Sequence, residues 1–255
     1  MITTRQNGSL YTSIKDHIAT IEFGHPASNS LPSELLERLA KELIAIGNNA
    51  DVTVIILKSE GEKAFCAGAS FDELVAISNI KDGQQFFAGF ANVINAMRTC
   101  GKLIIGRIQG KTVGGGVGLI AACDYAFATV NAAIKLSEFT IGIGPFVIEP
   151  AVTRKIGISG TSELTLDATN WKNAYWAKEK GLYAKVFETI NELDKEVEIL
   201  SEKLASYNPI ALGEMKKALW QGTENWSELL VKRAVISGEL VLSEFTKKAL
   251  EKFKK

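Results

Sequence analysis

The sequence predicts an α/β fold in which strands and helices alternate along most of the chain. Short apolar runs typical of buried strands are followed by segments with apolar residues at helical spacing. Two of these runs end in turns of small residues that lead directly into helical patterns. Strands that alternate with helices in this way are typical of layered α/β proteins.

The first part of the chain begins with a pair of strands and a helix. Residues 10–14 and 17–23 alternate between apolar and polar side chains, which predicts two strands joined by a tight turn. Residues 33–46 carry leucine and isoleucine at helical spacing and predict a helix with Ser33 as its N-cap. The apolar run at 52–58 then predicts a buried strand.

The middle of the chain continues this alternation. Residues 83–100 predict a long amphipathic helix, and residues 103–109 predict the next strand. Residues 117–122 are apolar or small and predict a buried helix, which is followed by a strand at 125–129. Helices and strands therefore alternate up to residue 129.

The last part of the chain is helical and poor in strands. Leu193, Val197 and Leu200 lie at helical spacing, so we expect a core at residues 1–191 and a C-terminal helical region at residues 192–255. No linker rich in proline, glycine or serine separates the two parts, which predicts that they pack closely. The apolar residues of the second part exceed what a short helix pair covers, which predicts an interface between subunits. They include Trp220, Trp226, Leu229, Leu230, Leu240 and Leu242.

Composition excludes several classes of function. The chain has 29 basic and 29 acidic residues, which argues against a nucleic-acid partner bound through a broad basic surface. No apolar run reaches 18 residues, so we expect no membrane-spanning helix. The three cysteines show no C-x-x-C spacing, which favours buried free thiols over a disulfide or a metal site. Together with a polar N-terminus, these features predict a cytoplasmic protein.

Two small-residue turns carry the candidate site. Residues 65–69, Phe-Cys-Ala-Gly-Ala, and residues 114–118, Gly-Gly-Gly-Val-Gly, each lie between a predicted strand and a predicted helix. The start of a helix exposes backbone N–H groups without partners, and glycine lets a ligand oxygen approach them. Each turn could therefore hold an anion or a developing oxyanion, although tight turns whose glycines serve only packing remain an alternative.

These two turns, in this order, resemble those of the crotonase superfamily, the enoyl-CoA hydratase/isomerase family. Residues 25–31 are similar to the turn before the first long helix of that family, and residues 174–182 and 243–255 are similar to later segments. The resemblance implies a spiral of ββα units with a C-terminal helical trimerisation region. It also implies an acyl-CoA thioester substrate, no metal, no cofactor beyond the coenzyme A of the substrate, and a homotrimer or dimer of trimers.

The resemblance assigns roles to individual residues. The backbone N–H groups of Ala69 and Gly115 correspond to the donors that hold the thioester oxygen, and Glu138 corresponds to a catalytic acid/base. Family hydratases carry a second glutamate just after the triple glycine, where this chain has Gly118. The other residues expected to contact substrate are Ala67, Gly68, Gly114, Gly116 and Phe146.

The missing second carboxylate favours a double-bond isomerase, because one carboxylate can move a proton between two carbons. Glu149, eleven residues after Glu138, keeps a hydratase open as the alternative, including one of the methylglutaconyl-CoA type. Glu149 is also in a position to start a helix with Pro150 in the first turn, where the helix dipole favours a carboxylate. A second alternative is a non-catalytic protein of this fold that binds an acyl-CoA or RNA.

Overall fold

The computed structural model describes residues 7–252, which form a six-stranded and a three-stranded sheet together with ten α-helices. The strands are β1 (Ser9–Lys15), β2 (Ile18–Gly24), β3 (Val54–Ser59), β4 (Ala64–Cys66), β5 (Leu103–Ile108), β6 (Lys111–Val113), β7 (Tyr125–Thr129), β8 (Ile134–Lys135) and β9 (Lys185–Phe187). The helices are α1 (Ser33–Gly47), α2 (Phe71–Ala76), α3 (Ile80–Thr99), α4 (Gly115–Ala122), α5 (Glu149–Leu166), α6 (Ala174–Glu179), α7 (Ile190–Ala205), α8 (Pro209–Leu219), α9 (Trp226–Leu240) and α10 (Glu244–Glu251). The predicted α/β class is confirmed.

Strand pairing produces a spiral. The large sheet has the order β1-β2-β3-β5-β7-β9, in which β1 and β2 pair antiparallel and the other neighbours pair parallel. The small sheet has the order β4-β6-β8, with parallel pairs. Three successive turns of the chain, which start with β3, β5 and β7, each add one strand to the large sheet and then one to the small sheet before a helix follows. This arrangement confirms the predicted spiral of ββα units.

The helix α1 illustrates how local sequence and tertiary contacts combine. Its buried face consists of apolar residues at helical spacing, among them Leu35, Leu39 and Leu43. The predicted N-cap role of Ser33 is wrong, because the helix already begins at that residue and Pro32 precedes it as the cap. The Ser33 hydroxyl instead donates a hydrogen bond of 2.7 Å to Glu73 at the start of α2.

The helix α7 packs on the large sheet. A capping box formed by Thr189 and Glu192 starts this helix, so the boundary predicted between residues 191 and 192 falls in its first turn. Leu193 and Val197 lie in one apolar cluster with residues of β3, β5 and β7. The division into parts 1–191 and 192–255 stays a prediction, and residues 1–6 and 253–255 lie outside the described range.

The C-terminal helices cover the spiral. The helix α9 packs along α3 so closely that a Cβ at Gly83 would lie 2.9 Å from the Gly238 carbonyl oxygen. Trp220, Trp226 and Leu230 are all buried within the single chain. These three side chains are therefore not available for the subunit interface that was predicted from the sequence.

A buried ion pair fixes α8 to the core. The Asp124 carboxylate accepts hydrogen bonds of 2.7 Å from Lys216 Nζ, Trp220 Nε1 and the Ile104 backbone N–H. The side chains of Asp124 and Lys216 are almost fully buried. Within residues 7–252, no helix combines the length and apolar character needed to cross a bilayer.

Candidate active site

A cavity lies where both small-residue turns, the segment around Glu138, and helices α2, α3 and α9 meet. Its walls are mostly apolar, and the only polar side chains in the described lining belong to two serines and one glutamate. The lining residues are Ala67, Gly68, Ala69, Phe71, Leu74, Phe86, Phe87, Phe90, Val113, Gly114, Gly115, Ser137, Glu138, Ile141, Ile143, Gly144, Pro145, Val147, Ile148 and Ser237.

The structure brings the two predicted turns into contact. A Cβ at Gly68 would lie 3.8 Å from the Gly115 backbone nitrogen, so the turns face each other across the cavity rim. Gly115 is the first residue of α4, where a backbone N–H has no partner inside the helix. Ala69 directly precedes Ser70, the N-cap of α2. Both candidate donor residues therefore lie beside helix N-termini on the cavity wall.

The glycine at position 114 is required for two reasons. Its φ of +55° lies in a region that residues with a Cβ rarely adopt. A Cβ at this position would also lie 3.0 Å from Glu138 Oε1. Gly114 thus lets the start of α4 and the carboxylate of Glu138 approach each other closely.

Glu138 is the one ionisable residue in the described cavity lining. It begins a short 3₁₀ turn, Glu138–Ile141, which follows the end of β8. Its Oε2 atom is buried and has no hydrogen-bond partner. Desolvation by burial raises the pKa of this carboxyl to about 7, because the charged form loses water without gaining a cation. A carboxyl with this pKa can both take and return a proton near neutral pH.

The position where family hydratases carry a second glutamate is closed in this chain. Gly118 is buried in α4, and a Cβ there would lie 2.6 Å from the Cβ of Ile148. Real Cβ atoms do not approach this closely, so a side chain at position 118 requires Ile148 to move. Ile148 itself lines the cavity. An apolar side chain of the cavity lining therefore fills the space that a glutamate at position 118 would enter.

Glu149 does not line the cavity. It is the first residue of α5 with Pro150 in the first turn, as expected for a carboxylate placed by the helix dipole. Its carboxylate accepts a hydrogen bond of 2.7 Å from Thr153 Oγ1 and lies 3.6 Å from Arg233. These partners hold the group outside the described lining.

Two residues expected to contact substrate also lie outside the described lining. Gly116 faces the small sheet, where a Cβ would lie 2.7 Å from Cys66 Cβ and 2.8 Å from Thr112 Cγ2. The ring of Phe146 folds back over Gly144, which would place a Cβ at that glycine 2.6 Å from the ring. Packing accounts for both positions, whereas Ala67, Gly68, Ala69, Gly114 and Gly115 all line the cavity.

Ser237 and Ile148 line the cavity but were not predicted from the sequence. Ser237 lies on α9, far along the chain from both turns, and joins the lining only because α9 packs on α3. A single serine in a helical pattern gives no signal of this role. For Ile148 the sequence held part of the signal: the absence of a glutamate at position 118 was visible, but the side chain that occupies that space was not.

Comparison with known proteins identifies the family. The family model for enoyl-CoA hydratase/isomerase matches residues 13–252. The chain belongs to the enoyl-CoA hydratase/isomerase family. This assignment confirms the resemblance to the crotonase superfamily, and the protein is an enzyme of that family.

Relatives within this family include both isomerases and hydratases. The chain is 29% identical to the peroxisomal Delta(3,5)-Delta(2,4)-dienoyl-CoA isomerase of Arabidopsis thaliana, over 77% of this chain and 74% of the relative. It is 30% identical to the short-chain-enoyl-CoA hydratase of Clostridium acetobutylicum, over 81% of this chain and 79% of the relative. The crystal structure of enoyl-CoA hydratase from Bacillus halodurans has the same fold, with a TM-score of 0.88, 24% identity, and coverage of 95% and 99% of the two chains.

Proposed function

We propose that this family member is an enoyl-CoA isomerase that uses Glu138 as its single acid/base. The Glu138 carboxylate removes a proton from the carbon between the thioester carbonyl and a 3,4 double bond. The electron pair shifts towards the thioester oxygen and forms a dienolate. Glu138 then returns the proton two carbons further along, which leaves the double bond next to the thioester. The proton stays within enzyme and substrate, and coenzyme A enters as part of the substrate.

The backbone N–H groups of Ala69 and Gly115 stabilise the negative charge that develops on the thioester oxygen. Both residues line the same cavity as Glu138. A preorganised donor in such a position contributes about 2.7–4 kcal/mol to transition-state stabilisation. The mostly apolar walls lower the local dielectric constant, which strengthens these hydrogen bonds.

The choice of isomerase depends on one observation. The Oε2 atom of Glu138 is buried without a hydrogen-bond partner, and the Ile148 side chain occupies the space that a side chain at position 118 would enter. Proton transfer between two carbons of one substrate requires a single base. Addition of water also requires a group that positions and activates the water, and the described lining offers no second carboxylate for this purpose.

The experiment compares two reactions in one spectrophotometric assay. We expect the wild-type protein to convert a 3-enoyl-CoA to the conjugated 2-enoyl-CoA, and to hydrate crotonyl-CoA very slowly. Glu138→Gln should lower the isomerase rate by about 10²–10⁴-fold, because the amide keeps the size of the side chain but cannot accept the proton. Glu149→Gln is the matched control and should leave the isomerase rate unchanged.

The alternative is a hydratase that uses Glu138 with Glu149. The name of the Clostridium acetobutylicum relative, a short-chain-enoyl-CoA hydratase, favours it. Efficient hydration of crotonyl-CoA by the wild type, lost in Glu149→Gln, would replace the isomerase proposal with this alternative. A protein that binds acyl-CoA but converts no enoyl-CoA would instead support the non-catalytic reading.

A homotrimer or a dimer of trimers is the assembly that we propose. Large apolar side chains are exposed on α5 and α8, and side chains of this kind are usually buried in assemblies. They include Ile158, Leu166, Ile210, Met215 and Leu219. Light scattering should give about three or six times the 27.7 kDa mass of one chain. A monomer at micromolar concentration would contradict the proposal.

Localisation in the cytoplasm is also part of the proposal. All three cysteines are free and buried, and free thiols are usual in a reducing compartment. Burial raises the pKa of Cys66 and of Cys123 to about 12, so both thiols are poor nucleophiles.

A further inference from the structure

The cavity contains a second unpartnered polar group, near the start of α3, whereas the glycine turn at residues 114–118 meets the middle of that helix. Ser237 on α9 lines the cavity and is only 1% exposed. Its Oγ atom is buried and has no hydrogen-bond partner, and Glu138 is the other described lining residue with such an atom. A buried hydroxyl without a partner costs free energy, so its presence on a binding surface points to a ligand atom that pairs with it.

A serine inside a helix usually has a local partner for its hydroxyl. The chain offers a direct comparison in Ser201, a buried serine of α7 whose hydroxyl donates a hydrogen bond of 2.7 Å to the Val197 carbonyl one turn earlier. Ser237 makes no such bond. Its hydroxyl therefore remains available to the cavity.

Contacts along α3 indicate how far Ser237 lies from Gly115, one of the two proposed donors to the thioester oxygen. Phe90 packs against Gly115 in the turn at residues 114–118, because a Cβ at Gly115 would overlap the Phe90 ring. Gly83 packs against Gly238, the neighbour of Ser237. Seven residues separate Gly83 from Phe90, and the rise of an α-helix over that length is about 10 Å. Phe86 and Phe87 line the cavity between these two contacts.

The charge of the lining restricts the ligand group to a neutral one. Within the described lining there is no lysine, arginine or histidine, and the one ionisable group is Glu138. A second carboxylate on the acyl chain would therefore be desolvated without a cation. Arg233 lies one turn before Ser237 on α9, but its guanidinium faces Glu149 outside the cavity. A hydroxyl or carbonyl oxygen satisfies Ser237 without this cost.

We propose that Ser237 is a specificity-determining residue that hydrogen-bonds a neutral oxygen near the far end of the acyl chain. The substrate class is thus an acyl-CoA with an apolar middle section and a hydroxyl or keto oxygen beyond it. The proposal rests on the assignment of this cavity as the acyl-CoA site. It predicts discrimination against plain alkyl chains and against diacid acyl groups of the same length.

The test measures binding of saturated acyl-CoAs, which bind without reacting. Hexanoyl-, octanoyl- and decanoyl-CoA are each compared with their ω-hydroxy and ω-carboxy derivatives by calorimetry. At one chain length, the wild type should bind the ω-hydroxy compound at least as tightly as the alkyl compound and more tightly than the ω-carboxy compound. Ser237→Ala should lower the ratio of alkyl to ω-hydroxy dissociation constants by about three- to tenfold, which is the usual value of one hydrogen bond.

Ser201→Ala is the matched control, because it removes the hydroxyl of a buried helical serine remote from the cavity. It should leave the binding ratio at the wild-type value. A ratio that does not change in Ser237→Ala, or a preference of the wild type for the ω-carboxy compound, would overturn the proposal. Failure of the proposed function is distinguishable. A protein that binds acyl-CoA but converts no 3-enoyl-CoA would refute the isomerase without touching the binding ratios, whereas a protein that binds none of these acyl-CoAs would refute the assignment of the cavity as the acyl-CoA site.

Discussion

Glu138 should make the folded protein less stable as the pH rises, and replacing it should remove that cost. Burial raises the pKa of its carboxyl from 4.5 to about 7. In the unfolded chain the group ionises at its ordinary pKa, whereas in the folded protein it keeps its proton up to about 7. The folded state is therefore progressively disfavoured as the pH rises between these two values, and the penalty is complete above the higher one.

The magnitude follows from the two pKa values. Each unit of difference is worth 1.36 kcal/mol, so a rise from 4.5 to about 7 corresponds to about 3 kcal/mol at pH 8.5. At pH 5 the same relation gives less than about 1 kcal/mol. Glu138→Gln carries no charge at either pH. The free energy of unfolding of the variant, relative to the wild type, should therefore grow by about 2.5 kcal/mol across this range.

Urea unfolding of both proteins at several pH values between 5 and 8.5 measures this growth. Glu163→Gln is a useful control, because a hydrogen bond from Lys172 lowers the pKa of the Glu163 carboxyl. The contribution of a carboxylate with a lowered pKa is already complete above its ordinary pKa, so the Glu163→Gln difference should stay flat across the range. A flat difference for Glu138→Gln as well would show that the Glu138 carboxyl is not desolvated, and would remove the basis for its raised pKa.

Three further predictions follow from the site and the core. The value of kcat/KM should rise about tenfold per pH unit below pH 7 and level off above it, since only the deprotonated Glu138 can act as the base. A pH–rate profile without this rise below pH 7 would argue against that role. Asp124→Asn should lower the free energy of unfolding by about 3–5 kcal/mol, because Lys216 would remain buried without its counter-charge. Chemical denaturation measures this loss of stability, and a loss below about 1 kcal/mol would contradict the prediction. Cys66 and Cys123 should react with iodoacetamide only after unfolding, and rapid labelling of the native protein would refute their burial.

Much of the large sheet and of the long helices was predictable from local pattern. The strand at Tyr125–Thr129 was predicted with the bounds that the structure has, and α1 and α3 were predicted to within a few residues. The small sheet was not predictable in this way, because β4 and β6 have three residues each and β8 has two. Strands this short show no periodicity, and the register between them is set by contacts between distant segments.

The same distinction between local pattern and tertiary contacts applies to the candidate site. Its backbone donors and Glu138 lie in turns whose small residues and position were visible in the sequence. The positions of Glu149, Phe146 and Ser237 depend on how α5 starts, how a ring folds back and how α9 packs on α3. These are tertiary contacts, so residue type and spacing gave no means to place them inside or outside the cavity.

The contact between Gly118 and Ile148 also limits how the chemistry of this chain can change through mutation. A glutamate at position 118 introduced first would meet the Ile148 side chain in a buried helix, and overpacking of this kind costs about 1–3 kcal/mol or more. Shortening Ile148 first opens the space and costs about 2–5 kcal/mol when the new side chain is alanine. Neither single step gains a second carboxylate without a loss of stability. The two positions are therefore coupled, and a lineage that acquires paired carboxylates must pass through a less stable intermediate or change both residues together.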